Sequence, residues 1–342
     1  MSKIPEAVRL TRSPTAQAVF GLIPYTDKKE VYSLADIMMI TNSAFMINIH
    51  PETVDAAGPT LFSPTQLMGD GLMAMGFDIG ESYYEIPATP EQLEQYVKFI
   101  KDSIDRGLPV IGWDLFCPEF GIIYGYDDEK QELYARDAEK DGIIAYSEIN
   151  NRRYSSIHAM AVLNSSSVDP LDTLEDSLQR AVHFLDEKNH QPSSQYHHGI
   201  AGYDAWMQAF MTRHIHIPEN AYNLAVVTDG RKFAAQFFGN FSESIFSQTS
   251  LGSQLAPLAL EAAAHYSVIA ETLSELLLRF PFPQGGEPNN QQEAEHAIKL
   301  LNKVKTSEIN GLAVMSQMLE LVLNRKREAP LSLGKFKFPP YS

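Results

Sequence analysis

The stretch from Leu108 to Asp137, LPVIGWDLFCPEFGIIYGYDDEKQELYARD, constrains what this chain can fold into more than any other. Three strand-like runs, Pro109 to Leu115, Phe120 to Tyr126 and Gln131 to Arg136, are separated by two compact turns. That spacing predicts antiparallel strands joined as a small meander. The stretch also holds the only cysteine, Cys117, and one of the two tryptophans, Trp113.

The flanking sequence predicts helices around this meander. Ser33 opens an apolar run that reads as a buried helix to Phe45, and Met46 to His50 alternates like a strand before Pro51 stops it. Asp55 to Leu67 is rich in Pro, Gly, Thr and Ser and is expected to be loop, where binding groups often sit. Thr89-Pro90-Glu91-Gln92 is a helix start, with a capping hydroxyl, a proline in the first turn and a side chain able to reach back to the cap. Leu93, Val97, Ile100 and Ile104 follow on one face, and Gly107 with Pro109 ends the helix. Strands at Gly142 to Tyr146 and Ile157 to Leu163 would bring the sheet to about five.

The pattern changes after the polar run Asn164-Ser165-Ser166-Ser167. Asp169-Pro170 starts a helix bearing Leu171, Leu174, Leu178, Val182 and Leu185, and helical periodicity continues near 199–213, 219–239, 252–280 and 290–325. Pro192, Pro218 and the segment 281–290 separate these helices. No repeat of fixed period is present. The expected architecture is α+β: a domain over 1–165 with an antiparallel sheet and flanking helices, then an all-α domain over 166–342.

A formal charge of −16 argues against a phosphate-backbone binder, which needs clustered Lys and Arg. The basic run Asn324 to Arg327 reads instead as cations at a helix C-terminus. A single cysteine excludes an internal disulfide. Glu6, Arg9 and Arg12 interrupt the first twenty residues, so no signal-peptide core is read there. No window reaches the roughly 18 apolar residues of a membrane span. A cytoplasmic protein with neither nucleic-acid nor membrane partner is expected, and an oligomer is compatible with all of this.

The candidate chemistry is sparse. Cys117 has no histidine within twenty residues to activate it and reads as a small buried hydrophobe. His197-His198 and His214-Ile215-His216 could pair on a metal, but no Cys or carboxylate cluster stands at ligand spacing. Surface or capping roles are expected, with no metal or cofactor. His265 falls on the apolar face of Leu258, Ala262, Ile269 and Leu273 and is expected in the core. Asp127-Asp128-Glu129 reads as turn chemistry in preference to a cation site. Glu119 and Asp137 differ from these, because a carboxylate beside apolar strands must be paired or functional. In the helical half, Gly202 to Trp206 and Gly230 to Ala234 place Tyr, Trp and Arg where they can pack between elements and meet a carboxylate.

Gly112-Trp113-Asp114 and Glu119-Phe120-Gly121-Ile122-Ile123-Tyr124-Gly125-Tyr126-Asp127-Asp128 resemble the papain-like proteins grouped with butirosin biosynthesis protein H, and more distantly the bacteriocin leader peptidases. The resemblance covers about the first 165 residues by motif and the rest by architecture. It implies an N-terminal cysteine nucleophile, a histidine on the strand just before the Gly-Tyr-Asp turn and an orienting acid, for acyl transfer from a carrier or for peptide cleavage. Here Ser13 stands at the nucleophile position and Glu119 at the histidine position, and Asp137 matches the acid. Trp113, Asp114 and Tyr126 are the substrate-binding residues this resemblance implies.

A carboxylate is a weak base toward a hydroxyl, so Ser13 and Glu119 do not replace a thiol–imidazole pair. Two expectations follow. One is a papain-like protein, related to acyltransferases and peptidases, with a rearranged or degenerate site; the other is a non-catalytic protein that holds a small molecule, acyl carrier or peptide.

Overall fold

The computed structural model describes residues 9–186 and 195–328. Glu6 and the expected break at Pro192 lie outside them, as do the side chains of Lys326 and Arg327. The order is α1 (Pro14–Leu22), α2 (Leu34–Ile40), β1 (Asn48–Ile49), α3 (Pro64–Ala74), β2 (Phe77–Glu85), α4 (Pro90–Ile104), β3 (Val110–Trp113), β4 (Phe120–Asp127), β5 (Glu132–Arg136), β6 (Asp141–Ala145) and β7 (Ser156–Ser165). There follow α5 (Pro170–Leu185), β8 (His197–His198), α6 (Gly199–Thr212), α7 (Ile217–Gly239), α8 (Gly252–Arg279) and α9 (Gln291–Glu328). The fold is thus mixed, with an antiparallel sheet followed by a helical C-terminal region. No helix among the described residues is long and apolar enough to cross a membrane.

Among the described residues the sheet has six strands in the order β2-β7-β3-β4-β5-β6, every neighbouring pair antiparallel. The expected meander is β3-β4-β5, and β6 extends it. The additional strand is β2, an edge whose residues beyond Phe77 are half-buried or exposed, so it lacks a clear apolar alternation. Helix α4 begins as expected, with reciprocal bonds between Thr89 and Gln92. Helix α2 stops at Ile40, short of the expected Phe45, because Asn42 takes a left-handed φ of 60°, which Asn tolerates better than most residues. The loop expected over 55–67 already contains the start of α3.

Alternation along the strands gives the sheet two buried faces. Val110, Ile123, Leu133, Ile144 and Ala159 pack with Tyr96 and Ile100 of α4. Ile111, Phe120, Met160 and Val162 face α1–α3 and the C-terminal helices, in a single apolar cluster running from Ala16 to Val322. The boundary at 165/166 therefore separates secondary-structure content but not cores. A small ribbon reinforces this, since β1 pairs with β8, Asn48 opposite His198 and Ile49 opposite His197.

The helical region holds a buried charge pair. Arg231 Nε donates to Glu308 Oε2 at 2.7 Å, Tyr203 OH donates to the same oxygen at 2.6 Å, and Arg231 Nη1 donates to the Ala44 carbonyl at 2.8 Å. Both charged side chains are 0 % exposed. Trp206 Nε1 donates to Asn220 Oδ1 at 2.8 Å. The motifs at 202–206 and 230–234 are thus inter-element packing, as expected. His265 is not a core residue: it is half-buried, and Tyr266 occupies the core position.

Candidate functional site

Helix α1 presents its N-terminus to a cavity beside the sheet. Ser13 caps it, its Oγ accepting from the Ala16 amide at 3.3 Å, and Pro14 fits the first turn. Glu119 immediately precedes β4. Ser13 and Glu119 line one cavity of about 590 Å³, together with Trp113, Phe120, Tyr154 and Tyr222. Its size suits a small organic molecule. Trp113 packs at 4.8 Å on Phe120 and at 5.5 Å on Tyr154, ring centroid to centroid, with both pairs tilted by about 50°.

Several polar groups of this cavity are already committed. Glu119 accepts from Arg9 Nη2 at 2.9 Å. Asp229 of α7, also on the wall, accepts from the Thr11 hydroxyl at 2.5 Å and the Arg12 amide at 2.7 Å, tying the segment before α1 to the helical region. Ser13 Oγ lies 3.0 Å from Thr15 Oγ1, Thr15 3.5 Å from Ser43 Oγ, and Ser43 2.9 Å from Thr41 Oγ1. Thr41 donates to the Ile37 carbonyl at 2.7 Å. With one proton per hydroxyl, that last bond makes Ser43 the donor to Thr41, while the single Thr15 proton can go to Ser13 or to Ser43. Burial raises the Tyr222 phenol above its ordinary range; Glu119 pushes the same way, and Arg9 and Arg12 oppose.

The other residues that the resemblance implies stand elsewhere. Asp137 does not line the cavity. Its Oδ2 accepts from the Phe116 and Cys117 amides, both at 2.8 Å, and its Oδ1 from the Glu139 and Lys140 amides at 2.9 and 3.1 Å. It is a clasp on the β3–β4 connection. Asp114 is fully buried, accepting from Arg153 Nη1 at 2.8 Å and the Arg153 amide at 2.9 Å. Tyr126 points away, donating to Asp105 at 2.7 Å. Of the three expected substrate-binding residues only Trp113 is on the wall. Gly121 has a steric reason for being glycine: an added Cβ would lie 2.3 Å from the Arg136 carbonyl.

Cys117 is buried. Burial, then the nearby Asp137 and Glu119 carboxylates, push its thiol up to about 12, against Arg9. A thiol so protonated at neutral pH is not a nucleophile. Iodoacetamide is expected to label native protein at pH 8 at least about tenfold more slowly than urea-unfolded protein, as read by intact-mass time courses; equal rates would make Cys117 available for chemistry after all.

No group of three or more His, Cys, Asp or Glu suited to a metal occurs among the described residues. His197 and His198 lie in the β1–β8 ribbon, and His216 pairs with Glu219. In the turn, Asp127 Oδ1 accepts from the Glu129 and Lys130 amides, each at 3.1 Å.

Sequence reasoning missed Tyr222, Val226 and Asp229. Their spacing of four and three residues places them on one helical face, and an acid recurring with that apolar face was a readable signal. The chain matches no protein-family model, and no curated protein matches it.

Proposed function

We propose that this chain is a small-molecule-binding protein on a papain-like scaffold, related to acyltransferases and cysteine peptidases of peptide or antibiotic biosynthesis, in which a polar binding site replaces covalent catalysis. The scaffold part rests on the motifs at 112–114 and 119–128 and on α1, which starts at Pro14 behind its Ser13 cap and packs against β4. The ligand is a small molecule or the acyl or peptide arm of a carrier, and the setting is cytoplasmic.

The carrying observation is the state of the two residues at the nucleophile and base positions. Ser13 and Glu119 share the cavity, yet each is spoken for, Ser13 by Thr15 and Glu119 by Arg9. No cysteine or histidine is among the described residues lining it. Aromatic walls and acceptor groups suit retention of a ligand better than attack on one.

A thermal-shift screen with acyl thioesters, aminoglycosides and short peptides, followed by mass spectrometry of the mixtures, tests this. Stabilisation with unchanged ligand masses is expected, and Trp113→Ala should weaken the binding by about tenfold or more, the usual loss on removing a buried aromatic anchor. An acylated or cleaved product, abolished by Ser13→Ala, would sink the reading. Co-location of Ser13 and Glu119 favours that rearranged catalysis as the second reading.

A further inference from the structure

Met46 and Phe62, on the wall of the first cavity, also line a second one of about 760 Å³, together with Thr41, Asn42, Asp70 and Asp176. The hydroxyl row crosses between them: Ser13, Thr15 and Ser43 line the first cavity and Thr41 the second. The Thr41 and Ser43 protons are directed toward the Ile37 carbonyl, so that end of the row offers acceptors. Asn42 is 5 % exposed, and its Oδ1 has no hydrogen-bond partner among the described residues. Its Nδ2 meets the Met46 sulfur, at 3.8 Å. A buried carbonyl left this way is a standing cost that a ligand N–H would remove.

The charge of the second cavity points the same way. Asp176 pairs with Arg180 at 2.6 Å, whereas Asp70 makes no ion pair among the described residues. Burial raises the Asp176 carboxyl above its usual range, Arg180 opposes, and Asp70 and Glu175 add to the rise. The partition itself is soft on one side, because an unbranched thioether side chain can swing through several rotamers at small cost.

We propose that the two cavities are halves of one cleft that takes a single extended ligand: an aromatic or apolar body beside Trp113, and an amine-terminated arm that passes Met46 along the hydroxyl row to Asn42 and Asp70. This rests on the binding role of the first cavity and adds the second. The arm supplies the donors that the row, the Asn42 carbonyl and the Asp70 carboxylate accept. Its positive charge offsets the excess carboxylate there.

Fluorescence titration of the full chain with dansylamide, which has the body without an arm, and dansylcadaverine, which has both, tests the proposal. Dansylcadaverine is expected to bind about tenfold more tightly, equivalent to about 1.4 kcal/mol. Asp70→Asn should erase most of that advantage, and Met46→Trp should erase it by filling the passage. Asp70→Asn, whose side chain lines the second cavity and not the first, should leave dansylamide binding within about twofold. Met46→Ala, which keeps the passage open, should retain the advantage and serves where the tryptophan variant fails to fold. Equal affinity for the two probes in the natural chain, or an advantage that survives Asp70→Asn, overturns the extended cleft while leaving the first cavity's role standing. Failure of dansylamide to bind, or binding indifferent to Trp113→Ala, overturns that role and the cleft with it.

Discussion

Glu308→Ala is expected to lower the free energy of unfolding by about 3–5 kcal/mol, because it strands the fully buried Arg231 guanidinium. Arg231 would keep its bond to the Ala44 carbonyl but lose its counter-charge, and the Tyr203 hydroxyl would lose its acceptor. Urea denaturation followed by circular dichroism reads this as a lower midpoint at unchanged slope. The double variant Arg231→Met with Glu308→Leu should recover most of the loss, since replacing both charges by apolar groups leaves none unpaired. A single variant within about 1 kcal/mol of the natural chain would show that water or backbone relaxation already compensates the pair.

Asp137→Ala is expected to cost about 2–4 kcal/mol, since the carboxylate holds four backbone amides and buried donors left without partners carry most of the penalty. Asp137→Asn should fall between, because the amide oxygen can still accept from two of them while its NH₂ group cannot. The same urea titration orders the three chains. Binding to dansylamide at low temperature, where each variant is folded, should change by no more than about threefold, as befits a clasp outside the cavity. A large loss of binding with little loss of stability would reverse the assignment and return Asp137 to the site.

The two carboxylates singled out beside the strands divide in a way that residue type alone does not reveal. Glu119 faces the cavity and Asp137 faces the backbone of the β3–β4 connection, although both flank the same strand pair. Sequence spacing locates a carboxylate along the chain; whether amides or solvent surround it depends on how the connection folds back. The long helices were legible because their apolar faces recur over many turns, and α5 to α9 start and end within a few residues of where periodicity puts them.

The shorter elements were harder. Ser13-Pro14 and Ser63-Pro64 are the same cap-and-proline signal as Thr89-Pro90, and all three open helices. The first two were obscured because the segments that follow are short and mix Gly, Ala and Met. The cavity was not legible at all as a whole, since its wall is assembled from α1, the 43–64 segment, the β3–β4 connection and α7. No local pattern encodes such a convergence.

The β1–β8 ribbon also orders the birth of the fold. During synthesis Asn48 and Ile49 leave the ribosome before the entire sheet and α5 have been made, and their partners His197 and His198 emerge only afterwards. Through that interval the apolar faces of α1 to α3 have no C-terminal helices to cover them, since those helices complete the same cluster. The N-terminal segment is thus a waiting partner: the sheet covers one side of α1 and α3 as soon as it is made, and the sides turned toward the C-terminal helices stay open until those helices follow.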